Sequence, residues 1–166
     1  MATDQNLKDA FAGESQANRS YLAFAAKADN DGYPQVARLF RAAAEAETVH
    51  AHAHLRAMSG IRDTAENLQT AIDGEGHEFM QMYPGFAAEA EKEGNKPALA
   101  SFQNAMAVEK IHHGLYTSAL EAVSAGKDLP DRKIFVCPVC GNTVYDEAPK
   151  TCPICGVAGK KFMAIQ

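Results

Sequence analysis

Two copies of a Glu-x-x-His motif are the residues of this chain with the clearest chemical meaning. They run from Glu47 to His50 and from Glu109 to His112. On a helix this spacing places the carboxylate and the imidazole one turn apart on the same face, so both can reach one metal ion. Carboxylate oxygen with imidazole nitrogen suits iron or manganese better than an ion that prefers thiolate. A single copy would more often be a solvated helix face, whereas two copies in matching positions predict a metal site.

The two motifs are part of an internal repeat. Members of the first copy recur 62 positions further on: Phe24 as Phe86, Phe40 as Phe102, Glu47 as Glu109, and His50 as His112. Glu14 and Glu75 follow the same scheme with an offset of 61, which is a slip of one residue. The repeat predicts one helical hairpin that occurs twice and supplies a similar set of polar groups each time.

Glutamates also stand where apolar side chains are expected. The apolar residues recur at three and four positions and are expected to point inward, Phe24 and Phe86 among them. The same stripes contain Glu14, Glu47, Glu75 and Glu109, with Glu78 one turn from Glu75. Lysine and arginine are missing from these stripes, and an unpaired buried carboxylate is costly. Two bound divalent cations would supply about four compensating charges. A glutamate from each of two helices and a Glu-x-x-His from each of the other two is the pattern of di-iron carboxylate bundles.

Four cysteines form a second metal-binding pattern near the C-terminus. They are arranged as two C-x-x-C pairs, each followed by glycine: Cys137, Cys140, Cys152 and Cys155. Each pair can turn two thiolates toward one ion, so the four cysteines predict a single tetrahedral site. Sulfur ligation suits zinc as well as iron. A zinc ribbon and an iron site therefore both stay open, and a neighbouring di-iron bundle that needs electrons favours iron.

The elements that must position these groups are four helices and a small module. The helices are expected over residues 4–30, 34–58, from Asp63 onward, and from Pro97 to just before Gly126. Gly74, Gly76, Pro84 and Gly85 weaken the third helix, so a kink or bulge is expected between Glu75 and Tyr83. Short strands are expected at 134–136 and 161–163 around the cysteines.

The predicted fold is thus an all-α four-helix bundle with antiparallel, up-down hairpins, followed by a small β-rich metal module. We expect the bundle to span residues 1–128, a linker 129–133, and the cysteine module 134–166. The net charge of -5 argues against a nucleic-acid partner. No run of about 18 apolar residues and no leader-like N-terminus is found, so a cytoplasmic protein without a membrane partner is expected.

The chain resembles the rubrerythrin family over essentially its whole length. The resemblance is carried by residues 11–17, Glu-Thr-Val-His at 47–50, Glu-Gly-His-Glu at 75–78 with Met-Tyr-Pro at 82–84, Glu-Lys-Ile-His at 109–112, and the rubredoxin-like cysteine pairs. It implies a ferritin-like bundle whose two irons are bound by seven side chains: Glu14, Glu47, His50, Glu75, Glu78, Glu109 and His112. It also implies one iron at the four cysteines, with zinc as the alternative occupant in recombinant protein.

Further roles follow from the same resemblance. One iron of the family moves between a glutamate and a histidine as its redox state changes, and these roles fall on Glu78 and His50. Tyr21 and Tyr83 match tyrosines that hydrogen-bond near the ligands.

The implied activity is reduction of hydrogen peroxide to water. Electrons would come from rubredoxin or an external NAD(P)H-dependent reductase through the cysteine site, because the chain has no nucleotide-binding glycine motif. The implied assembly is a head-to-tail homodimer, with exchange of helices or a higher homo-oligomer as further options. Oxygen reduction or ferroxidase activity is an alternative, as is a non-enzymatic metal-binding protein with a zinc ribbon.

Overall fold

The computed structural model describes residues 2–166. It divides into two compact units, Met1–Arg62 and Asp63–Gln166, which are described separately. The first unit is a helical hairpin. The second contains the remaining helices and the cysteine module.

The first unit consists of α1 (Ala2–Asn30) and α2 (Pro34–Ala57). The turn between them passes through Gly32 at φ +83°, a conformation that glycine adopts without strain, and Pro34 begins the next helix as predicted. The buried side chains of the hairpin are mostly alanines, which let the two helices approach closely: Ala25, Ala28, Ala37, Ala44 and Ala51. The buried amide of Asn18 donates to the Ala44 carbonyl oxygen at 2.6 Å and ties α1 to α2.

The second unit begins with a helix that changes its winding part of the way along. It comprises α3 (Thr64–His77), a π-helical segment (Glu78–Met82) and α4 (Tyr83–Lys92), followed after a turn by α5 (Lys96–Ser124). Asp63 caps α3 by accepting a hydrogen bond from the Glu66 amide at 2.9 Å, as its spacing predicted. The helix predicted to start at Pro97 is α5, which begins one residue earlier, at Lys96.

The π-helical segment is the bulge predicted between Glu75 and Tyr83, and its position explains the slip in the repeat. Residues before the segment match α1 with an offset of 61, as for Glu75 and Glu14, and residues after it match with an offset of 62, as for Tyr83 and Tyr21. A π turn accommodates one extra residue, and the Tyr83 amide donates to the Glu78 carbonyl five residues back. The second hairpin therefore contains one inserted residue between its metal-binding part and its aromatic part.

The C-terminal module is a three-stranded antiparallel sheet. Its strands are β1 (Ile134–Val136), β2 (Thr143–Tyr145) and β3 (Met163–Ile165), in the order β2-β1-β3. The strand predicted at 134–136 is confirmed. The strand predicted at 161–163 is wrong, because a 3₁₀ turn occupies Gly159–Lys161 and the strand starts at Met163. The edge strand β2, which pairs with the central strand β1, was not predicted.

Matching aromatic clusters support the internal repeat. Three ring pairs in the first unit have counterparts in the second: Tyr21–Phe24 at 6.4 Å and Tyr83–Phe86 at 6.3 Å, Tyr21–Phe40 at 6.1 Å and Tyr83–Phe102 at 6.2 Å, Phe24–Phe40 at 5.6 Å and Phe86–Phe102 at 5.5 Å. The expectation that Phe24 and Phe86 point inward is wrong, since they are 49% and 46% exposed. Each ring packs on its own hairpin with one side and leaves the other side uncovered. Among residues 2–166, no helix is long and apolar enough to cross a membrane.

Candidate metal centres

The first hairpin brings three predicted ligands together. Ligand atoms of Glu14, Glu47 and His50 lie within 4.8 Å of one another. The Nδ1 atom of His50 is 2.9 Å from Oε2 of Glu47, the contact that the Glu-x-x-His spacing predicts. Hydrogen bonds with His50 and Glu14 lower the pKa of Glu47. The His50 side chain is 54% exposed, and Glu47 is its only hydrogen-bond partner among the residues that the structure describes.

The second hairpin repeats this arrangement with deeper burial. Ligand atoms of Glu75, Glu109 and His112 lie within 4.8 Å of one another. The Nδ1 atom of His112 is 2.8 Å from Oε2 of Glu109 and 3.7 Å from Oε1 of Glu75. His112 is only 25% exposed, and its other ring nitrogen, Nε2, is 2.9 Å from the Thr143 hydroxyl of the cysteine module.

The carboxylates of the second cluster repel one another. Burial, the nearby Glu109 and the charge of Glu78 raise the pKa of Glu75 to about 7. Burial and the charge of Glu109 also raise the pKa of Glu78, against an opposing effect of His77. A bound cation would relieve this repulsion, and oxygen with imidazole ligands matches what divalent iron accepts. The residues present therefore fit the predicted metal.

Glu78 distinguishes the second cluster from the first. It is the first residue of the π-helical segment and lies outside the group of three ligand atoms, although it is close enough to Glu75 to raise its pKa. The corresponding position of α1 is Ala17. The second hairpin therefore offers one carboxylate more than the first.

The two predicted tyrosines lie in equivalent places of the two hairpins, each against two phenylalanines. Burial and the negative charges of Glu78, Glu109 and Glu75 raise the pKa of Tyr83, which places its phenol in the field of the second cluster. The ring of Tyr21 contacts Phe24 and Phe40. The two tyrosines thus share a packing role.

The four cysteines converge at the C-terminal module as predicted. Sγ of Cys137 is 3.6 Å from Sγ of Cys155, and Sγ of Cys140 is 3.6 Å from Sγ of Cys152. A tetrahedron with metal–sulfur distances of about 2.3 Å has edges of about 3.8 Å, so these sulfurs are spaced for one ion. The loops are closed by hydrogen bonds from the Gly141 amide to the Cys137 carbonyl and from the Gly156 amide to the Cys152 carbonyl.

The surroundings of the sulfurs prepare them for ligation. Burial would raise the pKa of Cys152, but amides of Cys155 and Ile154 that point at its sulfur lower that pKa to about 6. Burial raises the pKa of Cys140 to about 12, because only one of the crowded thiols ionises readily without a cation. Asn142, 1% exposed, donates its side-chain amide to Sγ of Cys152 at 3.8 Å.

Asn142 and Thr143 are the two residues near the metal sites that the sequence did not reveal. Both follow the first C-x-x-C-Gly loop and carry ordinary polar side chains, so nothing in their type or spacing marks them. The contact of Asn142 depends on how the two cysteine loops pack on each other, and the contact of Thr143 depends on how the module docks on α5.

Comparison with known proteins agrees with this architecture. The Rubrerythrin family model matches residues 5–120, and the model of the rubrerythrin, rubredoxin-like domain matches residues 135–163. Rubrerythrin-2 of Clostridium acetobutylicum is 39% identical over 95% of this chain and 94% of that protein. Rubrerythrin of Porphyromonas gingivalis is 37% identical over 92% of this chain and 84% of that protein. Among solved structures, nigerythrin in its fully reduced, all-ferrous state matches with a TM-score of 0.59 at 34% identity, over 98% of this chain and 86% of that chain.

Helices with paired glutamate–histidine clusters and a four-cysteine sheet module define a ferritin-like protein with a rubredoxin-like domain. The chain belongs to the rubrerythrin family. The predicted resemblance and fold class are confirmed. So are the predicted cofactor sites, since the chain has glutamate–histidine clusters for a di-iron centre and a rubredoxin-like four-cysteine site.

Proposed function

We propose that this protein is a non-haem iron peroxidase that reduces hydrogen peroxide to water. The observation that carries the proposal is the duplicated glutamate–histidine cluster, in a chain that also holds four converging thiols. The reaction consumes one peroxide, two electrons and two protons and yields two waters. Bound iron at the carboxylate clusters would supply the electrons to peroxide.

The ligand assignment rests on the same clusters together with the family. We assign seven side chains to one di-iron centre: Glu14, Glu47, His50, Glu75, Glu78, Glu109 and His112. Glu14 and Glu75 occupy equivalent positions in the two hairpins, and together with the two Glu-x-x-His pairs they would hold the iron. Glu78 has no counterpart in the first hairpin, which supports its role as the ligand that exchanges with the exposed His50.

The tyrosines have a supporting role in this proposal. The raised pKa of Tyr83 keeps its phenol protonated, so its O–H can donate to an oxygen atom near the carboxylates. Tyr21 is assigned the equivalent place in the first hairpin. Replacing either by phenylalanine would remove the donor and keep the ring packing.

The four cysteines provide the electron-entry site in this proposal. Cys137, Cys140, Cys152 and Cys155 would hold one iron, reduced one electron at a time by rubredoxin or by a separate NAD(P)H-dependent reductase. Iron in a thiolate site is intensely coloured when ferric, whereas zinc at the same site is colourless. A visible spectrum therefore separates the iron assignment from a zinc ribbon.

We also propose that the protein works in the cytoplasm as a homodimer, with residues 1–128, 129–133 and 134–166 as bundle, linker and module. Whether ligands are exchanged between subunits can be tested with two inactive variants. One carries Glu14→Leu and Glu47→Leu, and the other carries Glu75→Leu and Glu109→Leu. If a centre takes its two hairpins from different chains, a mixed dimer regains one intact centre and up to half of the activity. If each centre belongs to one chain, the mixed dimer stays inactive.

The decisive test of the function is anaerobic reduction followed by addition of peroxide or air. We expect about two irons per chain at the carboxylate clusters and faster reoxidation by peroxide than by dioxygen. The double variant Glu47→Leu/Glu109→Leu should lose this reaction, and the matched control Glu45→Leu, at an exposed position of α2, should keep it. Faster reoxidation by air would favour an oxygen-reducing or ferroxidase protein. Absence of bound metal at the clusters would refute the proposal.

A further inference from the structure

The Thr143 hydroxyl joins the cysteine module to one histidine of the second cluster. Its Oγ1 atom lies 2.9 Å from Nε2 of His112 and 3.1 Å from the carbonyl oxygen of Gly141. All three groups belong to the second compact unit. His112 and Thr143 lie 31 residues apart in sequence, so their contact is made by the fold and not by a local motif.

The direction of these two hydrogen bonds can be worked out from the number of protons. A carbonyl oxygen only accepts, so the Thr143 hydroxyl donates its single hydrogen to Gly141, and its oxygen then accepts the N–H of Nε2 of His112. The other ring nitrogen, Nδ1, is 2.8 Å from a carboxylate oxygen of Glu109, so a proton or a metal ion must lie between these two atoms. When a metal ion occupies that place, the ring carries its hydrogen at Nε2 and keeps its bond to Thr143.

Nδ1 of His112 is the nitrogen that faces the carboxylates. It lies 2.8 Å from Oε2 of Glu109 and 3.7 Å from Oε1 of Glu75. A metal ion among these carboxylates requires a free electron pair on that nitrogen. The hydroxyl therefore selects the tautomer that can ligate and holds the ring at the required rotation.

The surroundings of the contact are largely apolar. The loop that leads into β2 packs against α5: a Cβ atom on Gly141 would be 3.6 Å from Val108, which is 2% exposed and lies one turn before His112. A mostly apolar cavity of about 310 Å³ adjoins the contact, with Leu68, Leu115, Tyr116 and Tyr145 among its lining residues. His50, the counterpart of His112, has no such hydroxyl partner among the residues that the structure describes.

We propose that Thr143 is a positioning residue, which fixes His112 as the Nε2–H tautomer and so presents Nδ1 as a metal ligand. This inference rests on the proposed di-iron function for its biological purpose. Its physical content, however, can be measured without peroxide turnover.

The test compares Thr143→Val, which keeps the shape and removes the hydroxyl, with Thr143→Ser, which keeps the hydroxyl. Thr117→Val is the matched control, because it removes a hydroxyl of α5 that bonds only within its helix, to the His113 carbonyl at 2.7 Å. Full-length protein with one equivalent of Zn²⁺, which the four thiolates bind first, keeps the module folded and diamagnetic. The ring nitrogens of His112 are observed by ¹⁵N NMR after further Zn²⁺ has filled the carboxylate clusters. In a second sample, Co²⁺ is titrated into those clusters instead.

With Zn²⁺ in the carboxylate clusters, we expect wild type, Thr143→Ser and Thr117→Val to show one form of His112, with the hydrogen at Nε2 and the metal at Nδ1. Thr143→Val should show a mixture of Nδ1-bound and Nε2-bound rings and bind Co²⁺ about 10- to 100-fold more weakly at the second cluster, the usual effect of removing a partner that orients a ligand. An unchanged tautomer and unchanged Co²⁺ affinity in Thr143→Val would overturn the inference. If those two properties change but wild-type iron protein does not reduce peroxide, the positioning role stands and the proposed function is wrong.

Discussion

Binding of metal to the second cluster should release a proton from Glu75. Burial and the charges of Glu109 and Glu78 raise the pKa of Glu75 to about 7 in the metal-free protein. A ligand carboxylate must be ionised, so any proton on Glu75 leaves when the ion enters. With this pKa, the carboxyl is about 90% protonated at pH 6 and about 10% protonated at pH 8.

The number of protons released and the pH dependence of the affinity can both be calculated for Co²⁺, a redox-stable substitute for Fe²⁺. Glu75 alone should contribute release of about 0.9 proton per ion at pH 6 and about 0.1 proton at pH 8. For the same reason, the apparent affinity of the second cluster should be about tenfold weaker at pH 6 than at pH 8. The affinity is weaker at the lower pH because the proton and the metal compete for the same carboxylate oxygen of Glu75.

The assay is isothermal titration calorimetry in pairs of buffers with different ionisation enthalpies, which counts released protons. Glu75→Gln removes the titrating group, so proton release at pH 6 should fall by about 0.9 relative to wild type. Glu89→Gln is the control, since Glu89 is an exposed glutamate of α4 and its replacement should leave proton release unchanged. Equal proton release by wild type and Glu75→Gln would show that the cluster does not hold a protonated Glu75, and the reasoning would fail.

Three further outcomes are expected. In the metal-free protein, the pKa of Glu75 is raised above its ordinary value, so the folded state binds more protons than the unfolded state between about pH 4.5 and 7. The free energy of unfolding, measured in urea, should therefore fall as the pH rises through that range. Asn142→Leu removes an N–H donor from the sulfur of Cys152, and this hydrogen bond stabilises the reduced iron site relative to the oxidised one. Losing about 1 kcal/mol of that stabilisation should lower the reduction potential by about 40 mV, measured by a redox titration that follows the visible absorption of the ferric thiolate site. Gly159→Ala would place a Cβ 1.6 Å from the Pro149 carbonyl oxygen, so thermal unfolding should show a loss of about 3 kcal/mol or more in stability. Gly13→Ala is the matched control, because a Cβ at this position of α1 meets no atom within 4 Å, and it should stabilise the protein by about 0.5 kcal/mol.

Much of the helical part could be predicted from the sequence because its signals are local. Asp63, Pro34 and the glycines between helices mark helix ends through capping and backbone conformation, which depend on a few neighbouring residues. The Glu-x-x-His spacing fixes side-chain proximity within one helix, and the observed contacts of His50 with Glu47 and of His112 with Glu109 agree with it. The bulge was also predictable, since glycine and proline accumulate at one place in the third helix.

The cysteine module was predicted less well because its strands contain only three residues each. Alternation of apolar and polar side chains cannot be recognised over such a length, so β2 was missed and β3 was placed two residues too early. The contact of Thr143 with His112 depends on how the module docks on α5, which no local pattern encodes. Phe24 and Phe86 were expected to be buried because the stripe shows which face of a helix is apolar, but it does not show what covers that face.

The π-helical segment also bears on how a duplicated hairpin acquires a new role. Inserting one residue into a regular helix would rotate everything beyond it by about 100° and would carry Tyr83 and Phe86 away from Phe102. The wide π turn takes up the insertion locally, so the aromatic half and the carboxylate half each keep the orientation that they have in the first hairpin. Glu78 begins that turn and stands where the first hairpin has Ala17, so the second copy bears an additional acid without disturbing either half. The inserted residue thus preserves the packing of the repeat, and a glutamate in place of alanine beside it makes the two clusters chemically unequal.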